Sequence, residues 1–150
     1  MKISKTVAVD FDGTLCEYYQ WKGVYQLGRP LDGAKDFLQA LRNKGYRILI
    51  YSCRTNSQKV ARMIESHLNE HEMLYDEVFV EGHKPEATAY FDDRAISVQP
   101  QKNGKVDYTK AIADLEDLVE WKKKEKTMDF DYSELYLSPE AAEDLRNWPQ

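Results

Sequence analysis

Two carboxylates close an apolar run near the start of the chain. Val7-Ala8-Val9 leads into Asp10, Phe11 and Asp12, and Gly13-Thr14 follows. The apolar run reads as a buried strand and Gly-Thr as a turn. Burying charge is costly unless the charge is paired or bound to a cation, so a strand ending in Asp-x-Asp points to a cation site. Carboxylates suit Mg²⁺, a hard cation that takes oxygen ligands and keeps several waters. Such a cation neutralises a phosphate and lets an anionic nucleophile approach it. One carboxylate of the pair could then attack phosphorus, forming an aspartyl-phosphate. The other could protonate the leaving oxygen and later take a proton from water. Phe11, between them in an alternating strand, would face away into the packing.

The elements that must position such a pair can be read from hydropathy patterning. Thr6–Phe11 is the first strand. Residues 15–30 form a loop rich in aromatics, with Tyr18, Tyr19, Trp21 and Tyr25. Ala34, Phe37, Leu38 and Leu41 have helical spacing, with Asp32 as the expected N-cap and Gly45 as the stop. Tyr46–Tyr51 reads as a second strand, followed by Ser52-Cys53-Arg54. Val60, Met63, Ile64 and Leu68 mark a second helix, Glu77–Val80 a third strand and Ala89–Phe91 a fourth, which ends in Asp92-Asp93. Ile96–Val98 is a candidate short fifth strand. Ile112, Leu115 and Val119 mark a third helix running into the lysines at 122–124 and 126, cations that suit the negative end of a helix dipole. Alternating strands and helices predict an α/β domain with a parallel sheet. In such sheets ligands bind outside the carboxyl ends of the strands. Asp10, Asp12, Ser52, Arg54, Asp92 and Asp93 all fall at ends of that kind. Lys84 would add positive charge as a phosphoryl group transfers. Ser52 and the backbone N–H groups beside it could donate hydrogen bonds to phosphoryl oxygens.

Composition narrows the class. A chain of 150 residues suits one domain and buries roughly 70% of its unfolded surface. No run approaches the ~18 apolar residues of a membrane span. The short N-terminal apolar stretch, interrupted by Asp10, does not read as a signal peptide. Cys16 and Cys53 have no metal-ligand spacing, which predicts reduced thiols and a cytoplasmic setting. The net charge of −5 resides in residues 127–150, which hold six acids and one base. With no basic stripe, nucleic acid is not a favoured partner. The expected organisation is a catalytic domain over 1–126 and an acidic, aromatic tail over 127–150. The tail has too many apolar groups for pure disorder and is expected to dock on its own domain or across a dimer.

The motifs in this order resemble the haloacid dehalogenase-like superfamily, in its phosphatase branch, over about residues 6–98. Asp10 to Thr14 matches its first motif, Asp-x-Asp-Gly-Thr after an apolar strand. Ile48-Leu49-Ile50-Tyr51-Ser52 resembles the second, Lys84 in Gly82-His83-Lys84-Pro85 the third, and Asp92-Asp93 after Tyr90-Phe91 the acidic fourth. The resemblance implies a Rossmann-like three-layer sandwich around a central parallel sheet. It implies Asp10 as nucleophile, Asp12 as general acid/base, and Ser52 and Lys84 as phosphoryl-binding groups. Arg54 and Cys53, beside Ser52, are further candidates for binding the phosphate or substrate. Mg²⁺ would sit among Asp10, the Asp12 backbone carbonyl and Asp92, with Asp93 supporting the metal or Lys84. An aspartate at position 12 favours phosphate esters, since dehalogenating branches lack a carboxylate there and ion-pumping ATPases carry threonine. The short stretches 14–32 and 54–84 leave no room for a separate cap domain, implying an open site.

Plainer readings stand beside these. Arg54 could contact a substrate phosphate or pair with Asp93 or Glu17. Cys53 is expected to be a buried spectator thiol. The aromatic loop could stack on a base or sugar ring, pack on the domain, or join the tail in a homo-oligomer contact. His67 and His71, one helical turn apart, form either a metal pair or an ordinary solvated face. The reading is thus a Mg²⁺-dependent phosphomonoester hydrolase acting on a phosphorylated small molecule or a phosphorylated macromolecule end, away from membranes. The alternatives are a phospho-accepting signalling domain and a non-catalytic binding or assembly protein on the same kind of fold.

Overall fold

The computed structural model describes residues 5–18, 21 and 23–127, with side chains as far as Lys124. Tyr19 and residues 128–150 lie outside it, and with them the expectations for the tail. The described elements are β1 (Thr6–Asp10), α1 (Ala34–Asn43), β2 (Arg47–Tyr51), α2 (Gln58–Glu70), β3 (Glu77–Val78), β4 (Ala89–Phe91) and α3 (Tyr108–Thr127). Two compact units divide the chain, one running to Asp92 and the other starting at Asp93.

In the first unit all four strands are parallel, in the order β3-β2-β1-β4. Val7, Ala8 and Val9 of β1 are buried, as are Ile48, Leu49 and Ile50 of β2. Unbroken apolar triplets, rather than alternation, are what strands covered on both faces require. The crossovers from β1 to β2 and from β2 to β3 step the same way along the sheet, and a shared hand puts α1 and α2 on one face. There Ala34, Leu38 and Leu41 join Val60, Met63, Ile64 and Leu68 in one core with Phe11, Leu15 and Leu27. The chain is an α/β protein, as the patterning predicts, and no described helix is long and apolar enough to cross a membrane.

Helix ends show where local chemistry prevails. Gly45 has φ 84° and terminates α1. Its N–H donates to the Arg42 carbonyl and that of Tyr46 to Leu41, the paired bonds of a Schellman motif. At the other end of α1 the N-cap is Gly33, also at φ 84° and with no side-chain cap bond, rather than Asp32. The Ala34 N–H bonds back to Leu31, a tight turn that needs the left-handed conformation glycine tolerates. Ser57 caps α2 by accepting from the Val60 N–H. Two other expectations fail. Residues 96–98 form no strand, and β3 is only two residues long. In the second unit, Ile112, Leu115 and Val119 of α3 are 58%, 45% and 44% exposed, so this stripe, unlike those of α1 and α2, is not part of a described core.

The segment between β1 and α1 is closed at its neck. Leu31 N–H bonds to Leu15, Glu17 N–H to Arg29, and Cys16 bridges Pro30. Gly28 lies so close to this neck that a Cβ on it would sit 1.9 Å from the Glu17 carbonyl oxygen. The obstacle is backbone and cannot rotate away. Gly28→Ala should therefore cost about 3 kcal/mol or more in a urea denaturation series. Gly82→Ala, where a Cβ meets nothing within 4 Å, should change stability by less than about 0.5 kcal/mol.

Candidate functional site

Parallel register carries the acidic residues to one edge. Asp10 pairs in register with Tyr51, and Val9 with Phe91. The residues that end β1 and follow β4 therefore emerge side by side. Carboxylate oxygens of Asp10 and Asp92 lie within 4.8 Å of each other. The Tyr51 hydroxyl donates to Asp92 Oδ2 at 2.7 Å. Burial, and next the bond to Asp92, push the Tyr51 phenol well above its ordinary range, so it stays a proton donor. Thr14 Oγ1 donates to Asp10 Oδ2 at 3.4 Å. The oxygens gathered here are the hard donors that Mg²⁺ takes, and two carboxylates leave room for the waters it retains.

Asp12 is turned to another partner. Beyond β1 the chain bends so that the Leu15 and Cys16 N–H groups both donate to the Phe11 carbonyl, with Gly13 at φ 82°. The Arg54 guanidinium grips both Asp12 oxygens, Nε to Oδ2 and Nη2 to Oδ1, each at 2.8 Å. Its Nη1 donates to the carbonyls of Gly23 and Val24 at 2.9 and 3.1 Å. Trp21 covers it, the guanidinium carbon lying 4.9 Å from a ring centroid. The Arg54 side chain is 2% exposed. Arg54 thus pairs with neither of the acids weighed from sequence. Glu17 bonds to Arg29, while Asp93, the first residue of the second unit, bonds to Lys122 of that unit at 2.5 Å.

Beside the strand ends a cleft of about 240 Å³ is lined by Tyr51, Ser52, Cys53, Phe79, His83 and Lys84 among others. Ser52 caps the bend after β2, its Oγ accepting from the Arg54 N–H. Lys84 is exposed, and its Nζ rests 4.2 Å from the Tyr90 ring centroid. No carboxylate pairs with Lys84 among the described residues, which leaves its ammonium available to an anion. His83 is held by Glu81 at 2.6 Å. Its bonds to the Lys84 carbonyl and to Glu81 raise its affinity for a proton. Cys53 lines this cleft as an exposed thiol, contrary to the buried spectator expected from sequence. The bend after β2 turns it outward while Arg54 turns in. Cys16 is the buried thiol, and burial, then the charge of Asp12, hold it protonated.

Tyr51 and the Arg54–Asp12 pair are the contributors that sequence reasoning missed. Tyr51 was legible only through register, as the residue opposite Asp10. No local spacing signals an ion pair between residues 42 apart.

An α/β protein with an acidic carboxyl edge is the class that fold and site together define. No protein-family model and no curated protein matches the chain. Among solved structures it is similar to a conserved protein of Bacteroides thetaiotaomicron, at 20% identity over 87% of this chain and 96% of that one, TM-score 0.43. A structure from Vibrio cholerae shares 23% identity over 81% of this chain and 98% of its own, TM-score 0.41. Likeness at that level bears on neither activity nor partners.

The energetic weight of the Asp12–Arg54 pair can be measured. Breaking a buried pair leaves a charge without compensation, so Arg54→Met should destabilise by about 3 kcal/mol. In a double-mutant cycle with Asp12→Asn, the coupling should exceed about 1 kcal/mol, and simple additivity would contradict the pairing.

Proposed function

We propose that the chain is a Mg²⁺-dependent phosphomonoester hydrolase working through an aspartyl-phosphate on Asp10. The observation that carries this reading is the approach of Asp10 and Asp92 within 4.8 Å at neighbouring parallel strand ends. Ser52 and Lys84 in the adjoining cleft support it, as do the motifs that resemble the haloacid dehalogenase-like phosphatases. Asp10 and Asp92 would hold Mg²⁺, whose charge offsets that of the substrate phosphate. Asp12, with both oxygens on Arg54, takes no side-chain ligand role in this reading.

The chain's own groups divide the work. Lys84 and the Ser52 hydroxyl hold phosphoryl oxygens as charge moves onto them. The Asp10 carboxylate attacks phosphorus, and the ester P–O bond breaks. Asp12 in its protonated form, with one oxygen released from Arg54, delivers that proton to the departing oxygen. Water then attacks the aspartyl-phosphate, Asp12 takes its proton, and the P–O bond to Asp10 breaks to release phosphate. Arg54 positions Asp12 through the fork of two N–H bonds, a geometry lysine cannot reproduce. An open cleft suits a phosphorylated small molecule or the phosphorylated end of a larger one. Free thiols at Cys16 and Cys53 suit a reducing, cytoplasmic setting.

Phosphate release from a panel of alkyl and aryl esters checks the reading. Wild-type turnover should require Mg²⁺, stop on chelation, and fall at least about a thousandfold in Asp10→Asn. A wild-type chain inert across the panel with Mg²⁺ present would refute it. Arg54→Lys separates positioning from simple stability. Alkyl esters, whose poor leaving groups need a proton, should lose about a hundredfold in kcat, whereas an activated nitrophenyl ester should lose much less.

A further inference from the structure

We infer that His67, Glu70 and His71 form a second metal site, selective for a zinc-class transition ion and separate from the acidic edge of the sheet. The three occur as His67-x-x-Glu70-His71 at the end of α2, and i, i+3, i+4 spacing stacks them on one helical face. One donor atom from each lies within 4.8 Å of the others. The two imidazole centroids are 4.4 Å apart.

The tautomers are set by the backbone. A carbonyl oxygen can only accept, so the His67 Nε2–H donates to the Gly28 carbonyl at 2.9 Å. The His71 Nδ1–H donates to the His67 carbonyl at the same distance. Each ring therefore keeps one lone pair, on Nδ1 of His67 and on Nε2 of His71. A metal-binding histidine characteristically donates its other N–H to a carbonyl, which fixes ring orientation and raises ligand basicity. His67 is 3% exposed, yet no buried side-chain nitrogen among the described residues lacks a partner. Its Nδ1 therefore keeps some access, and of its companions Glu70 is exposed and His71 half-buried.

Ligand chemistry selects the ion. Two imidazoles and one carboxylate suit Zn²⁺ and its neighbours in the first transition row, whereas Mg²⁺ takes oxygen donors. Three protein ligands leave a fourth tetrahedral position for water. The site also lies at the C-terminal end of α2, where the helix dipole favours a cation.

The test uses the untagged full chain, stripped with chelator and titrated calorimetrically with Zn²⁺, with Co²⁺ absorption as a second readout of tetrahedral nitrogen coordination. One equivalent should bind per chain. His71→Gln and Glu70→Gln, both outside the core, should each weaken binding at least about tenfold and abolish the cobalt spectrum. Circular dichroism checks that both variants keep their helices. Asp10→Asn and His83→Gln should leave zinc affinity unchanged. Equal affinity in wild type and His71→Gln would overturn the inference, as would loss of zinc binding in Asp10→Asn, which would place the ion at the sheet edge.

Discussion

Four strands that run the same way bring their carboxyl ends to one edge, and the rest of the structure depends on that shared direction. β1 lies between β2 and β4, so the residue that ends it has neighbours on both sides. The register Asp10↔Tyr51 and Val9↔Phe91 then determines which side chains stand next to Asp10. An antiparallel neighbour would present its opposite end, and the Tyr51–Asp92 bond and the Asp10–Asp92 approach would have no basis. Apolar triplets in β1 and β2, buried on both faces, hold this register, because a slip of one residue would turn every side chain over.

Arg54 ties that edge to the loop before α1. Four of its N–H groups are used, two on Asp12 and two on carbonyls of Gly23 and Val24. A group so engaged does not hold substrate in this geometry; it fixes the direction of the Asp12 carboxylate. His67 makes a comparable connection from the other side, joining the buried face of α2 to the Gly28 carbonyl. Loop and helices are thereby held against one core around Phe11 and Leu27.

Local chemistry made the strands and most helix boundaries legible in the sequence. Continuous apolar runs predict β1 and β2, and Gly45 ends α1 through backbone freedom alone. Asp10 and Asp92 at strand ends could be foreseen once parallel pairing was inferred. Asp32 misled because the turn into α1 demands a positive φ, and glycine at 33 meets that demand where an aspartate cap would not. Residues 96–98 misled because a short apolar run carries strand propensity without a partner to pair with. The ion pair of Arg54 with Asp12 and the exposure of Cys53 depend on how one bend after β2 apportions its side chains, which spacing does not encode.

The loop between β1 and α1 is held at its neck by the Cys16–Pro30 bridge and at its middle by Arg54. Between those anchors Val24 to Pro30 is a short span, so few conformations remain for it to lose. The Trp21 ring stands over the guanidinium that holds it. A ligand resting against that span meets a wall that is already ordered, and its contacts are not offset by the entropy of arranging one.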